Sequence, residues 1–259
     1  MDSNLLTRFR AALAELVPTD GTFPKIGLAV SGGPDSLALL LMAKELCPGS
    51  IVAATVDHQL RPEAAEEARF VAGLCNSFGI NHSILVPPTP IQGNIQSEAR
   101  ATRYALLRQW MAEQGCQWLA TAHHADDQLE TMLMRLSRGS GVDGLSAIRR
   151  KNGDIIRPLL SFRKEELIHV CRQAGVVPAQ DPSNENEDFD RVRIRKFLEK
   201  APSDLDPVMA AKSAAALGEA AEALDWTAQY FAGERLVSEG GAVSVDPHDL
   251  PAEIQRRLV

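Results

Sequence analysis

Short apolar runs alternate with segments of helical periodicity along the first half of the chain. The apolar runs are rich in Val, Ile, Leu and Ala and are bounded by turn residues, which is typical of buried strands. They predict strands over 26–30, 51–56, 83–86 and 118–122. The segments between and after them are each closed by a glycine or a proline, and they predict helices over 36–46, 64–78, 95–114 and 126–137.

Four such alternations require parallel strands joined by right-handed crossovers, with helices on both faces of the sheet. We therefore predict an α/β fold with a doubly wound, mostly parallel sheet. The further predicted elements are a strand at Ile155 and Ile156, a helix over 164–174, a polar loop over 181–190 and a segment over 191–199. Ligands of such sheets bind beyond the carboxyl ends of the strands, so we expect the loops there to carry the chemistry.

The composition changes near residue 200, where the chain becomes rich in alanine. The stretch over 202–234 predicts a C-terminal helical segment. We therefore predict a first domain over 1–200 and a helical segment over 201–259 that begins a second domain or acts as a linker.

The composition is that of a globular protein, with 259 residues, 45% hydrophobic and 24% charged. There is no apolar run of about 18 residues and no signal-peptide pattern, so we expect neither membrane insertion nor secretion. The cysteines form no C-x-x-C pair and lie far apart, at Cys47, Cys75, Cys116 and Cys171. This spacing favours reduced thiols in a cytoplasm over a metal site or a disulfide.

The net charge of −7 argues against binding of nucleic acid by bulk attraction to phosphate. However, residues 135–200 hold 14 Lys and Arg against 10 Asp and Glu, while the rest of the chain holds 13 against 24. A bound polyanion should contact that basic stretch. An ordinary solvated surface explains the same excess and stays open.

The first strand leads directly into Ser31-Gly32-Gly33-Pro34-Asp35-Ser36 and then into a helix. Two glycines let backbone N–H groups approach an anion, and the helix N-terminus adds positive charge. Ser31 and Ser36 can donate hydroxyl hydrogen bonds, whereas Asp35 would repel a phosphate unless a cation such as Mg²⁺ lies between them. A tight turn with Ser36 as the helix cap is the alternative explanation.

This hexapeptide, in its strand-to-helix context, resembles the S-G-G-x-D-S signature of the PP-loop ATP pyrophosphatases. The resemblance implies an adenine nucleotide alpha hydrolase-like fold and cleavage of ATP to AMP and pyrophosphate. The residues that it assigns to the pyrophosphate are Ser31, Gly32, Gly33, Pro34, Asp35 and Ser36. Asp35 would also hold Mg²⁺.

Three further motifs follow the later strands: Asp57-His58-Gln59-Leu60-Arg61, Glu98-Ala99-Arg100-x-x-Arg103-Tyr104, and the stretch from Thr121 to Gly141. In the last motif, Asp127 and Glu130 are three residues apart on a predicted helix and share a face, while His123 lies at its entrance. We expect these three side chains to converge on the mouth of the ATP site. Acidic residues in a first helical turn also complement the helix dipole, which accounts well for Asp126.

Together with Asp181-Pro182-Ser183-Asn184 and the alternating Arg191, Arg193 and Arg195, these motifs make residues 25–200 similar to tRNA(Ile)-lysidine synthetase. The resemblance implies a ligase that adenylates the wobble cytidine of tRNA(Ile) with a CAU anticodon, and free L-lysine then displaces AMP from C2 to give lysidine. It implies a cytoplasmic enzyme with tRNA(Ile), lysine, ATP and Mg²⁺ as partners. A membrane is not involved, and an oligomer stays open.

Placement and resemblance together suggest a role for each residue. Asp35 would hold Mg²⁺ and Arg103 would steady phosphate oxygens. Asp127 and Glu130 would recognise the lysine ammonium, and His123 would act as its base. The arginine alternation suits one face of a strand, or a loop that grips tRNA phosphates, as in Arg191, Arg193 and Arg195.

Three alternatives stay open: a PP-loop tRNA thiolase, a small-molecule synthetase of the same superfamily, and a nucleotide-binding module without turnover. Thiolases of this kind use paired cysteines, which this chain lacks. Members of the synthetase family commonly carry further C-terminal domains that help to select the tRNA. This chain is either a short family form or part of a longer one. We therefore expect its surface for tRNA selection to be less complete than its ATP site.

Overall fold

The computed structural model describes residues 2–59, 62–88, 95–179, 190–200, 205–239 and 242–258. The strands are β1 (Ile26–Ala29), β2 (Ile51–Val56), β3 (His82–Leu85), β4 (Trp118–Ala120), β5 (Lys151–Asn152), β6 (Ile155–Ile156), β7 (Leu236–Glu239) and β8 (Ala242–Val245). The helices are α1 (Ser3–Leu16), α2 (Pro34–Leu46), α3 (Pro62–Ser77), α4 (Ile95–Gln114), α5 (Ala125–Leu136), α6 (Val142–Leu145), α7 (Lys164–Gln173), α8 (Asp190–Lys200), α9 (Pro207–Arg235) and α10 (Ala252–Leu258).

A six-stranded sheet in the order β3-β2-β1-β4-β6-β5 forms the centre of the fold. Strands β1 to β4 and β6 run parallel, and β5 pairs antiparallel with β6 at the edge. The predicted doubly wound, mostly parallel α/β fold is confirmed. The strand order reverses at β1, which pairs with β2 on one side and β4 on the other. A crevice is expected beyond the carboxyl ends of β1 and β4 for that reason.

Both faces of the sheet are buried, as the apolar strands require. Successive residues of β2 point to opposite faces, so that Ala53 belongs to one core and Val52 and Ala54 to the other. The first core is built with α1, α2, α3 and α7, and the second with α4. Helix α2 is buried from Ser36 to Ala43, so the residues that follow the glycine loop are held rigidly against the sheet.

Four features were not predicted from the sequence, and one of them is the short helix α6. Helix α1 buries Leu5, Phe9 and Leu13 on the first core and is capped by Asp2, whose Oδ1 accepts a hydrogen bond from the Asn4 amide at 2.8 Å. The edge strand β5 is only two residues long. The hairpin of β7 and β8, followed by α10, replaces what was expected to be part of one helical segment.

The prediction of a strand or a loop for Arg191, Arg193 and Arg195 is wrong, because these residues lie in helix α8. Residues two apart on an α-helix point to nearly opposite sides, so the three arginines cannot share one face. The preceding motif Asp181-Pro182-Ser183-Asn184 and the loop over 181–189 lie outside the described residues, as do Leu60 and Arg61.

The C-terminal helical segment is confirmed as α9, which packs against α5 and α6. Its buried positions are small residues such as Ala211, Ala214 and Gly218, which let the helices approach closely. Gly218 also accepts a hydrogen bond at its carbonyl from the Arg149 guanidinium at 2.7 Å. None of the described helices combines the length and the apolar character that crossing a bilayer requires.

Candidate active site

A cleft of about 740 Å³ opens where the strand order reverses, beyond the ends of β1, β2 and β4. The glycine loop forms one wall, and α4, α5 and α8 contribute the others. The predicted site residues that line the cleft are Ser31, Gly33, Pro34, Asp35, Ser36, Arg103, His123, Asp127, Arg191 and Arg195. Among the described residues, Gly32, Glu130 and Arg193 are not part of its lining.

The glycine loop is closed by its own serine hydroxyls. Ser36 Oγ accepts a hydrogen bond from the Ser31 amide at 3.0 Å and donates one to the Gly33 carbonyl at 3.0 Å. Gly32 has a φ of +89°, which a residue with a Cβ rarely adopts. Gly33 has no side chain to obstruct the cleft, and Pro34 then starts α2. Pro34, Asp35 and Ser36 at the start of α2 line the cleft, and the first amides of a helix have no partner within the helix, so this end of α2 is suited to bind an anion.

His124 lies at the centre of a group of three carboxylates. Its Nε2 is 3.4 Å from Asp35 Oδ2 and 3.5 Å from Asp127 Oδ2, and its Nδ1 is 3.4 Å from Asp126 Oδ2. Burial alone would lower the pKa of His124, but the interactions with Asp126, Asp35 and Asp127 outweigh it and raise the pKa to about 10. His124 is therefore a buried cation beside the glycine loop.

The carboxylates around His124 also have structural partners. Asp127 Oδ2 accepts a hydrogen bond from the His124 amide at 3.1 Å, which caps α5. Asp126 Oδ2 accepts one from the Lys164 amide at 2.9 Å, which joins α5 to the start of α7. His124 is not among the residues predicted for the site, because its contact with Asp35 joins two residues that are distant in the chain.

Asp35 is suited to hold a divalent cation. Its Oδ1 is buried and has no hydrogen-bond partner, so one carboxylate oxygen is left for a ligand. Among the described residues, no group of three or more His, Cys, Asp and Glu forms a metal cage. This donor set fits Mg²⁺, which commonly binds through one or two carboxylates together with substrate phosphates and water.

His123 has the opposite environment to His124. Thr121 Oγ1 and His123 Nδ1 share a hydrogen bond of 3.0 Å. Burial lowers the pKa of His123 to about 4, Asp127 opposes this shift, and the cations Arg157, Arg100 and Arg191 add to it. The imidazole of His123 is therefore neutral at pH 7.

Glu130 is buried but points to α8 rather than into the cleft. Arg195 Nε donates to Glu130 Oε1 at 2.8 Å, and Arg191 Nε lies 3.3 Å from Glu130 Oε2. Arg191 also donates to Thr131 Oγ1 at 3.0 Å. Of the three side chains that were expected to converge, His123 and Asp127 do so. The expectation for Glu130 is not met, because two guanidinium groups already surround its carboxylate.

The motif after β2 contributes a turn and a histidine. Asp57 is buried, and its Oδ1 accepts a hydrogen bond from the Gln59 amide at 2.9 Å, which fixes an Asx-type turn. His58 then lines the cleft. Burial and the nearby Arg103 lower the pKa of His58, whereas Asp57 opposes this shift.

All four cysteines are buried as free thiols. Burial raises the pKa of Cys47, Cys75 and Cys171 to about 11. Because the thiolate is the nucleophile in sulfur transfer, these thiols do not favour the thiolase alternative.

Comparison with known proteins identifies the family. Residues 3–201 match the model of the PP-loop domain. The tRNA(Ile)-lysidine synthase of Zymomonas mobilis is 43% identical over 244 residues, which cover 91% of this chain and 74% of that relative. The tRNA(Ile)-lysidine synthase of Novosphingobium aromaticivorans is 40% identical over an alignment of 264 positions, gaps included. The alignment covers 99% of this chain and 79% of that relative.

A solved structure shares the fold. The U34-tRNA thiolase NcsA from Methanococcus maripaludis matches with a TM-score of 0.67 and 18% identity, over 83% of this chain and 78% of that one. The glycine-loop cleft, the PP-loop match and the two relatives agree with each other. The chain therefore belongs to the PP-loop proteins and, among them, to the tRNA(Ile)-lysidine synthase family.

Proposed function

We propose that this chain is the ligase that joins free L-lysine to C2 of the wobble cytidine of tRNA(Ile) with a CAU anticodon, consuming ATP and releasing AMP and pyrophosphate. The observation that carries the proposal is the cleft in which the glycine loop, His123 and Asp127 meet, in a chain 43% identical to a tRNA(Ile)-lysidine synthase. We propose residues 1–200 as the catalytic domain. We assign the reaction to the cytoplasm, where ATP, tRNA and free lysine are available.

The first step is adenylation of the cytidine. O2 of the base attacks the α-phosphorus of ATP, and the bond to pyrophosphate breaks. Ser31, Gly33 and the amides at the start of α2 would hold the pyrophosphate. Asp35 would hold Mg²⁺ through its unpartnered Oδ1, and the ion would neutralise phosphate charge. Arg103 lines the opposite part of the cleft and would steady the transferred phosphate.

The second step is displacement of AMP by lysine. The ε-nitrogen attacks C2, the bond from C2 to O2 breaks, and AMP leaves with that oxygen. The nitrogen must first lose a proton, since an ammonium has no lone pair. Asp127 lines the cleft and would bind the ammonium, while the neutral imidazole of His123 is available to take the proton.

Glu130 and the arginines of α8 connect lysine binding to the RNA. In this structure Glu130 holds Arg191 and Arg195. Glu130 would become a second ligand for the lysine ammonium when RNA phosphates draw the arginines away. Arg191, Arg193 and Arg195 would then contact the tRNA backbone, in agreement with the basic character of residues 135–200.

The decisive experiment combines two measurements on the same protein. We expect pyrophosphate release to depend on tRNA(Ile), and we expect mass analysis of the tRNA nucleosides to detect lysidine after incubation with ATP and lysine. Asp127→Asn should abolish lysidine but retain tRNA-dependent pyrophosphate release, because the first step does not use lysine. Asp154→Asn is the matched control, since Asp154 pairs with Arg108 away from the cleft. Absence of lysidine with the unaltered chain, or normal lysidine formation by Asp127→Asn, would contradict the proposal.

A further inference from the structure

Tyr104 lies in α4 between the hydrophobic core and the cleft. It packs against the second core, which contains Leu107 and Trp110, and it also lines the cleft. The second core therefore holds the side chain of Tyr104 in place, and part of this side chain borders the cleft. No step of the proposed reaction uses this residue.

Two guanidinium groups lie over the Tyr104 ring. The Cζ atom of Arg100 is 5.2 Å from the ring centroid, and that of Arg103 is 5.7 Å away. Both distances are within the range of an attraction between a cation and an aromatic face. A third guanidinium, that of Arg157, is buried nearby and donates to the Arg149 carbonyl at 2.6 Å.

These arginines repel one another. Burial lowers the pKa of Arg103, Tyr104 opposes this shift, and Arg100 adds to it. Burial also lowers the pKa of Arg157. The Tyr104 side chain opposes this shift, in part through a hydrogen bond with Arg157, and Arg100 adds to it. Within the described residues, no carboxylate forms a salt bridge with any of the three, and Arg157 Nε is buried without a hydrogen-bond partner. Tyr104 is thus the aromatic group that Arg100 and Arg103 both contact, and the packing of its ring against the second core fixes where they lie.

We propose that Tyr104 is a positioning residue that keeps Arg100 and Arg103 directed into the cleft, where they receive the phosphate that is transferred from ATP. The inference deepens the proposed function and rests on it. Arg100 and Arg103 both line the cleft and would touch the phosphate, and Tyr104 acts through them. The ring face is the part of Tyr104 that contacts Arg100 and Arg103, whereas its side-chain hydrogen bond is to Arg157.

The test compares variants that keep or remove the ring, using tRNA-dependent pyrophosphate release as the readout. Tyr104→Phe keeps the face, and we expect kcat and the KM for ATP to stay within about threefold of those of the unaltered chain. Tyr104→Leu and Tyr104→Met keep contact with the core but lose the face. Both should lower kcat/KM for ATP about tenfold or more, because two cation contacts are lost. Tyr230→Leu is the matched control, since Tyr230 is an exposed tyrosine on α9.

A double-mutant cycle separates positioning from a structural role. In a background that carries both Arg100→Ala and Arg103→Ala, Tyr104→Leu should cost much less than in the unaltered chain, because the groups through which it acts are already gone. Thermal melting identifies which of the Leu and Met variants retains the fold, and that variant is used in the cycle. Equal losses in both backgrounds, or a Phe variant as impaired as the Leu variant, would overturn the inference. Absence of pyrophosphate release from the unaltered chain would instead refute the proposed function.

Discussion

Gly27 occupies a position in β1 where the fold leaves no room for a side chain. A Cβ built there would lie 2.8 Å from Trp110 Cζ3 and 3.2 Å from Trp110 Cη2. The Trp110 ring is buried, and its Nε1 donates to Ser83 Oγ at 3.0 Å, so it cannot move aside freely. Because β1 leads directly into the glycine loop, the close contact between sheet and α4 also positions the active site.

We expect Gly27→Ala to lower the free energy of unfolding by about 1–3 kcal/mol, because an overfilled core forces neighbouring groups to shift. Gly73→Ala is the control, since a Cβ there would meet nothing within 4 Å and Gly73 lies in α3. That change should stabilise by up to about 1 kcal/mol through helix propensity. Urea unfolding of both variants measures the difference. A Gly27→Ala protein as stable as the Gly73→Ala protein would disprove the packing argument.

Helix α8 has two different faces. Arg191 and Arg195 are one turn apart and both contact the buried Glu130. Arg193 points elsewhere and, with Ser137 and Arg138, lines a small pocket against α5. The same short run of arginines therefore contains two residues that pair with Glu130 and a third, Arg193, on another face of the helix.

Arg195→Ala and Arg193→Ala should consequently differ in their effect on stability, although both remove a proposed tRNA contact. Removing Arg195 leaves the carboxylate of Glu130 short of a partner, so we expect a loss of about 1–3 kcal/mol in the free energy of unfolding. Removing Arg193, which is exposed, should cost less stability than removing Arg195 and should reduce the slope of log K for tRNA against log salt by about 0.9, as for one phosphate contact. Urea unfolding and binding titrations at several salt concentrations test both. Identical effects of the two variants would refute the two-face description.

Sequence reasoning was most reliable for the elements that are buried on both faces. Strands β1 to β4 and helices α2 to α5 end within two residues of the predicted bounds, because apolar runs and closing glycines or prolines determine them locally. Helix α8 was mistaken for a strand or a loop because its arginines alternate with Val192 and Ile194, and such alternation of polar and apolar residues is typical of a strand. The partner of Glu130 and the environment of His124 could not be predicted, since both depend on residues distant in the chain.

At the scale of the whole molecule, the part that follows residue 200 supports the catalytic site. Helix α9 packs against α5, which carries Asp127 and Glu130. Arg257 in α10 adds ion pairs to Asp143 in α6 and to Asp225 in α9. The predicted boundary near residue 200 therefore marks a change in amino-acid composition. Side chains from the two sides of this boundary nevertheless pack against each other.

The two adjacent histidines make opposite contributions to stability as the pH changes. The pKa of His123 is about 4 in the fold, whereas an unperturbed histidine titrates near 6.5. Between these values the unfolded chain binds a proton that the folded chain does not, so stability falls as the pH is lowered. The pKa of His124 is about 10. Between pH 6.5 and 10 the folded chain keeps a proton that the unfolded chain loses, so stability falls as the pH is raised.

The combined contribution of His123 and His124 to the free energy of unfolding should therefore be greatest near neutral pH. His123→Gln should flatten the decline on the acid side, and His124→Gln should flatten the decline on the alkaline side, whatever each variant does to the absolute stability. Urea unfolding from pH 4.5 to 9.5 measures the slopes, and His248→Gln is the control because His248 is exposed on the C-terminal part. If His124→Gln left the alkaline slope unchanged, the three surrounding carboxylates would not hold a proton on His124, and the buried cation beside the glycine loop would have to be abandoned.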